Sequence, residues 1–155
     1  MKVAVLLFGQ PRFFELTKKF IKDEFDLPGH DVHYFIHFWD KIGYIPKGPE
    51  ELYDKDKLYD DIKSTLPDVK NILIQDYDQE ESCSNLTEMC QNLIYFANKL
   101  HKRRLPIGTN IEGLYYKFGQ HWSMKRCFDR IQNYEDKNNF KYDLIIKCRT
   151  DIVYR

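Results

Sequence analysis

Val3 to Phe8 form a continuous apolar run that stops at Gly9. Such a run fits a strand covered on both faces, as in a parallel sheet, because a half-exposed strand would alternate. Beyond it Phe13, Leu16, Phe20, Ile21 and Phe25 recur in steps of roughly three and four and predict a helix with one apolar side, ended by Pro28 and Gly29. The next segment, DVHYFIHFWD, alternates. Val32, Tyr34, Ile36 and Phe38 fall on one face of a second strand, and His33, Phe35, His37 and Trp39 on the other. That second face is either less deeply buried or packed beneath a covering segment.

A loop rich in Gly and Pro (Gly43, Pro46, Gly48, Pro49) then leads to a charged helix from Asp56 to Ser64, closed by Pro67. VKNILIQDY supplies a third strand. A helix is expected over 86–100, carried by Met89, Leu93, Ile94, Ala97 and Leu100. The longest periodic segment follows Gly108: Leu114, Phe118, Trp122, Cys127, Phe128, Ile131 and Tyr134 share a broad apolar side, with Gln120 and Ser123 on a different one. YDLIIKC reads as a further buried strand. Strands alternating with helices predict an α/β domain with a mostly parallel, Rossmann-like sheet flanked by helices. An α+β domain of mixed strand direction is the rival. Right-handed crossovers would bring every strand exit, and any site, to one edge of the sheet.

Composition narrows this. The 155 residues suit one domain, and 43% hydrophobic content supports a core rich in aromatic rings. Charge balances at 24 basic and 24 acidic residues, which argues against a nucleic-acid binder. The basic run His101-Lys102-Arg103-Arg104 reads as a solvated helix end. Cys83, Cys90, Cys127 and Cys148 show no CxxC pair and no zinc-like spacing, so reduced thiols in a cytoplasmic compartment are expected. The apolar start is too short and too soon followed by charge for a secretory leader, and no run approaches the roughly 20 apolar residues of a membrane span.

Three strand exits carry the candidate chemistry. Gly9, Gln10, Pro11 and Arg12 combine a turn permitting close backbone approach, a helix start and a guanidinium, a set suited to an anion; an ordinary turn with a solvent-facing Arg is the alternative. Neither a Walker loop nor GxGxxG occurs. Asp40, after Trp39, offers an acceptor for sugar hydroxyls, or caps a helix. His33 and His37 share a strand face but sit about 13 Å apart. They read as satisfied core residues rather than joint metal ligands. On an extended strand Lys147, Arg149 and Asp151 point one way, and charges there must meet water, each other or a ligand. Arg149 and Asp151 form an ion pair, or Arg149 takes a phosphate while Asp151 holds a divalent cation against diphosphate oxygens.

Taken together, VAVLLFGQPRFF, DVHYFIHFWD, the QHWSMKRC of the long helix and YDLIIKCRTDIVY resemble a group of small bacterial and viral glycosyltransferase-like proteins, similar to nucleotide-diphosphosugar transferases of the GT-A type. The resemblance implies a nucleotide-sugar-binding domain over 1–155, like the N-terminal part of a GT-A fold and lacking a C-terminal acceptor portion. It implies transfer of a sugar from a nucleotide-diphosphate donor to a hydroxyl acceptor. By position Gly9, Gln10, Arg12, Gln120, Ser123 and Arg149 contact the donor, Asp40 and Asp151 are the catalytic acids, and Asp151 ligates Mn²⁺ or Mg²⁺. Arg149-x-Asp151 stands where the family carries DxD, so the arginine takes over part of the charge neutralisation. A viral source would place the protein in host cytoplasm. Self-association through an open sheet edge is a further expectation. A nucleotide-binding module without turnover and a purely structural domain are the competing classes.

Overall fold

The structure, a computed structural model, describes residues 1–11, 13–42, 51–76, 88, 92 and 111–150. Their order is β1 (Lys2–Gly9), α1 (Phe14–Glu24), β2 (Asp31–Trp39), β3 (Lys41–Ile42), β4 (Glu51–Leu52), α2 (Lys55–Thr65), β5 (Val69–Gln75), α3 (Ile111–Asn138) and β6 (Leu144–Cys148). Four strands form a parallel sheet in the order β5-β2-β1-β6. The fold is Rossmann-like α/β.

The apolar runs explain the layering. Val3, Val5 and Leu7 join Tyr34, Ile36 and Phe38 beneath α1 and α2, which contribute Phe14, Ile21, Leu58 and Ile62. On the opposite face Ala4, Leu6 and Phe35 meet Cys127 and Ile131 of α3. Both faces of β1 and β2 are therefore covered, as the continuous apolar run of β1 implied. The chain lays β1, β2 and β5 outward in one direction, then returns across the other face and adds β6 on the far side of β1. The direction of winding thus reverses between β1 and β6.

Several expectations need correction. The buried side of α1 is Phe14, Thr17, Ile21 and Phe25, whereas Phe13, Leu16 and Phe20 are 61%, 70% and 59% exposed. Both sets repeat at helical spacing, so periodicity alone could not choose between them. On α3 the buried stripe is Gly119, Ser123, Cys127, Ile131 and Glu135, at steps of four, while Phe128 is exposed. Ser123 belongs to that stripe and not with the exposed Gln120. Small residues at 119, 123 and 127 let the helix backbone sit close to the sheet, and the Cys127 thiol lies 3.7 Å from the carbonyl oxygens of both Leu7 and Phe35. Among the described strands β6 lies at the edge of the sheet, with Leu144 and Ile145 exposed rather than buried. It ends at Cys148, so Arg149 and Thr150 are not strand residues. Within the expected Gly/Pro loop, β3 and β4 form a short antiparallel ladder. Of the helix expected over 86–100 only Glu88 and Asn92 are described, both helical.

Candidate functional site

Because the four strands are parallel, Gly9, Trp39, Gln75 and Cys148 all end at one edge of the sheet. The winding reverses between β1 and β6 at that edge, with α1 and α2 on one face and α3 on the other, and such a reversal is the usual ligand position in open α/β sheets.

The β1 exit is held from several sides. Gly9 has a φ of +102°, a left-handed conformation that a side chain would strain. Its N–H donates to Ser123 Oγ of α3 at 2.8 Å. The Gln10 carbonyl accepts from Thr150 Oγ1, after β6, at 2.9 Å. The Pro11 carbonyl accepts from Tyr53 Oη, before α2, at 3.1 Å. Thr17 Oγ1 of α1 donates to the Thr150 carbonyl at 2.6 Å, closing the ring of contacts. Polar backbone that leaves a strand needs partners, and here the partners are side chains from three other segments. Phe13 then enters α1 in the left-handed region at φ 55°, with no side-chain cap on the helix. A bulky residue in that region is uncommon, and such strain gathers at functional sites.

The β2 exit is more tightly engaged. Asp40 is 5% exposed and lies 3.0 Å from Lys55 Nζ at the start of α2. Its N–H donates to the Gln75 carbonyl at 3.0 Å, and its carbonyl accepts from Tyr53 N–H at 2.8 Å. Trp39 is buried with its indole N–H 3.4 Å from the Gly119 carbonyl, so it packs under α3 and does not stand over an open pocket. His37 is fully buried. Its Nε2–H donates to Gln75 Oε1 at 3.1 Å and its Nδ1 lies 2.6 Å from Ser123 Oγ. Burial pushes its pKa down to about 4, so the ring is neutral at neutral pH.

The sequence-derived candidates therefore divide. Gly9 and Gln10 lie at the β1 exit, where Gln10 is hydrogen-bonded to Thr150, and the exposed Arg149 immediately precedes that threonine at the β6 exit. Gln120 is exposed one turn before Ser123, while Ser123 is buried behind the turn and positions it. Asp40 lies along the same edge in an ion pair. Arg12 and Asp151 lie outside the described residues. Thr150 and Tyr53 carry no distinctive signal in the sequence, being a Thr between two charges and one Tyr among eleven.

Family models, curated proteins and solved structures yield no match to the chain. The geometry alone bears on the site.

Among the described residues, the only His, Cys, Asp and Glu side chains grouped at ligating distance lie elsewhere, at Asp31, His33 and Asp68. The described residues at the β1 and β6 exits thus do not by themselves form a cation site. A groove of about 250 Å³ opens beside the same edge, between the starts of α1 and α2, and is lined by Phe14, Glu15, Tyr53, Lys57 and Asp61 among others. Lys18 spans Glu15 and Asp61 there at 2.8 and 3.4 Å.

Proposed function

We propose that the protein is a glycosyltransferase that binds a nucleotide-diphosphosugar across the β1 and β6 exits and transfers the sugar to a hydroxyl acceptor. The observation that carries this reading is the Thr150 Oγ1 to Gln10 O hydrogen bond, which joins the two exits at the point where the winding reverses. A diphosphate there meets the backbone of a glycine turn, the start of α1 and the Arg149 guanidinium. Charge growing on the leaving diphosphate is stabilised by such fixed donors. The resemblance adds Arg12 to these, and Asp151 as the holder of Mn²⁺ or Mg²⁺. Gln120, on the outer side of α3, faces solvent near the same edge and is a candidate for sugar or base contact.

The test is calorimetric titration with UDP, GDP, CMP and the corresponding nucleosides, with and without Mn²⁺, followed by a donor-hydrolysis assay. Diphosphates are expected to bind more tightly than nucleosides, and Arg149→Ala to remove most of that difference. Equal losses for nucleotide and nucleoside would overturn the phosphate contact. Asp151→Ala is expected to abolish any metal dependence.

A nucleotide-binding module without turnover is the second reading. The Asp40–Lys55 ion pair favours it, because a carboxylate so engaged is not placed as an acceptor base. Donor hydrolysis separates the two readings.

A further inference from the structure

At the other end of the sheet, where β2 begins, the segment Asp31-Val32-His33 places two side chains on one face of the strand, as residues two apart must lie. β5 runs beside β2, and Asp68 sits in the turn just before it. The result is three side chains from two segments: His33 Nε2 lies 2.9 Å from Asp31 Oδ1 and 3.3 Å from Asp68 Oδ2. All three ligand atoms fall within 4.8 Å of one another. We propose that Asp31, His33 and Asp68 bind a divalent transition cation of the Zn²⁺ type.

Four features support this. First, the two separations from His33 Nε2, 2.9 and 3.3 Å, are those of neighbouring ligands in a coordination shell. Ligands bound at about 2.0–2.2 Å to one ion are separated by roughly 3.0–3.5 Å along the edges of a tetrahedron or octahedron. Second, the imidazole is oriented from behind. His33 is buried, and its Nδ1 lies 2.6 Å from the hydroxyl of Tyr142, also buried. The Tyr134 and Tyr142 rings stand edge-on to it at 5.8 and 5.5 Å. A ligating histidine is normally fixed in this way through its second nitrogen. With the metal on Nε2, the ring proton resides on Nδ1 and is donated to the tyrosine oxygen.

Third, the backbone is bent to make the group. Tyr34 pairs with Val69 and Phe35 with Asn71, so Lys70 is the extra residue of a bulge opposite the cluster. Asp68 adopts a left-handed φ of 47°. Bulges often re-aim side chains in this manner. Fourth, both carboxylates stay half exposed, which leaves an entry path and open positions for water. The donor set of one nitrogen and two oxygens, with no thiolate, fits Zn²⁺, Co²⁺ or Ni²⁺ better than the all-oxygen shells of Ca²⁺ or Mg²⁺. Lys70 opposes the ion, since its ammonium pairs with Asp68 Oδ1 and leaves Oδ2 toward His33.

The site lies about 20 Å from the strand exits along β2 and is independent of the transferase reading. The test uses the full, tag-free chain after chelator treatment. Titration with Zn²⁺ is expected to show one equivalent bound and a raised melting temperature, and Co²⁺ a visible d–d absorption band. Asp68→Asn and His33→Ala should each remove the band and the thermal shift; Asp68→Asn alters a half-exposed group and keeps the question answerable if His33→Ala does not fold. Tyr142→Phe keeps the ring and all three ligands and is expected to weaken Zn²⁺ binding about 10–100-fold. Lys70→Met removes the competing charge and is expected to tighten it by about tenfold. Absence of uptake at millimolar Zn²⁺, or uptake unchanged in Asp68→Asn, would overturn the proposal.

Discussion

Ser123 Oγ lies 2.8 Å from the Gly9 nitrogen and 2.6 Å from His37 Nδ1, so one helix hydroxyl serves the turn after β1 and the ring on β2 together. It lies 2.9 Å from the His37 carbonyl as well. Ser123→Ala removes this oxygen without adding bulk. It leaves a buried N–H and a ring nitrogen unpartnered, at a cost of about 1–3 kcal/mol. Urea unfolding should show this as a shift in midpoint with an unchanged slope. A loss within experimental error would mean that water replaces the hydroxyl, and that the turn does not depend on α3.

His37 gives the fold a pH dependence whose sign is fixed. Its folded pKa is depressed to about 4 from 6.5, chiefly by burial. Between those values the unfolded chain binds more protons than the native one, so stability rises with pH through this window. The contribution is complete above 6.5 and lost as pH falls toward 4, a span of about 3 kcal/mol. Unfolding free energies at pH 4.5 and 7.5 should converge in His37→Gln relative to wild type. An equal slope in both would place the pH dependence on other groups.

Tyr34 is fully buried on the α1/α2 face and its hydroxyl has no hydrogen-bond partner among the described residues. Burial pushes its pKa up to about 12. Tyr34→Phe deletes an unsatisfied polar atom while keeping the ring, and is expected to be neutral or to stabilise by up to about 1 kcal/mol. Thermal unfolding is the check. A loss greater than about 1 kcal/mol would reveal a partner for the hydroxyl.

The two apolar stripes of α1 are distinguished by substitution. Ile21→Ala empties a site that is 3% exposed and should cost about 2–5 kcal/mol. Leu16→Glu, at 70% exposure, should stay within about 0.5 kcal/mol of wild type. If Leu16→Glu also lowers the apparent mass in sedimentation, the Phe13, Leu16 and Phe20 stripe is where two copies meet.

Much of the sheet was legible because its signals are local. Covered strands read as unbroken apolar runs, and the alternation in β2 assigned Tyr34, Ile36 and Phe38 to one layer and Phe35 to the other, as the packing has it. Of the two alternatives for the face carrying His37 and Trp39, less burial or a covering segment, the second holds, and the segment is α3. What could not be read were choices settled by tertiary contact. Either stripe of α1 had helical spacing, and the sheet selected the one containing a threonine, because Thr17 finds the Thr150 carbonyl. Ser123 groups with Gln120 by polarity, whereas the small side chains at 119 and 127 set it on the face that closely approaches the sheet. The Asp31–His33–Asp68 group was hidden for a related reason. The repeat of His33 and His37 along the strand points to a pair, whereas the partners of His33 lie two residues away and on the neighbouring segment.

β2 pairs with β1 over eight consecutive positions, Lys2 with Asp31 through Gly9 with Phe38, and carries reactive side chains at both of its ends. A strand is nearly inextensible, so it acts as a ruler between the two rims. Sliding it by one position would turn His33 and His37 to the wrong layer and pull Asp40 off Lys55 in the same step. Neither rim can be lost by misalignment while the other survives, so the state of one reports on the alignment of the other.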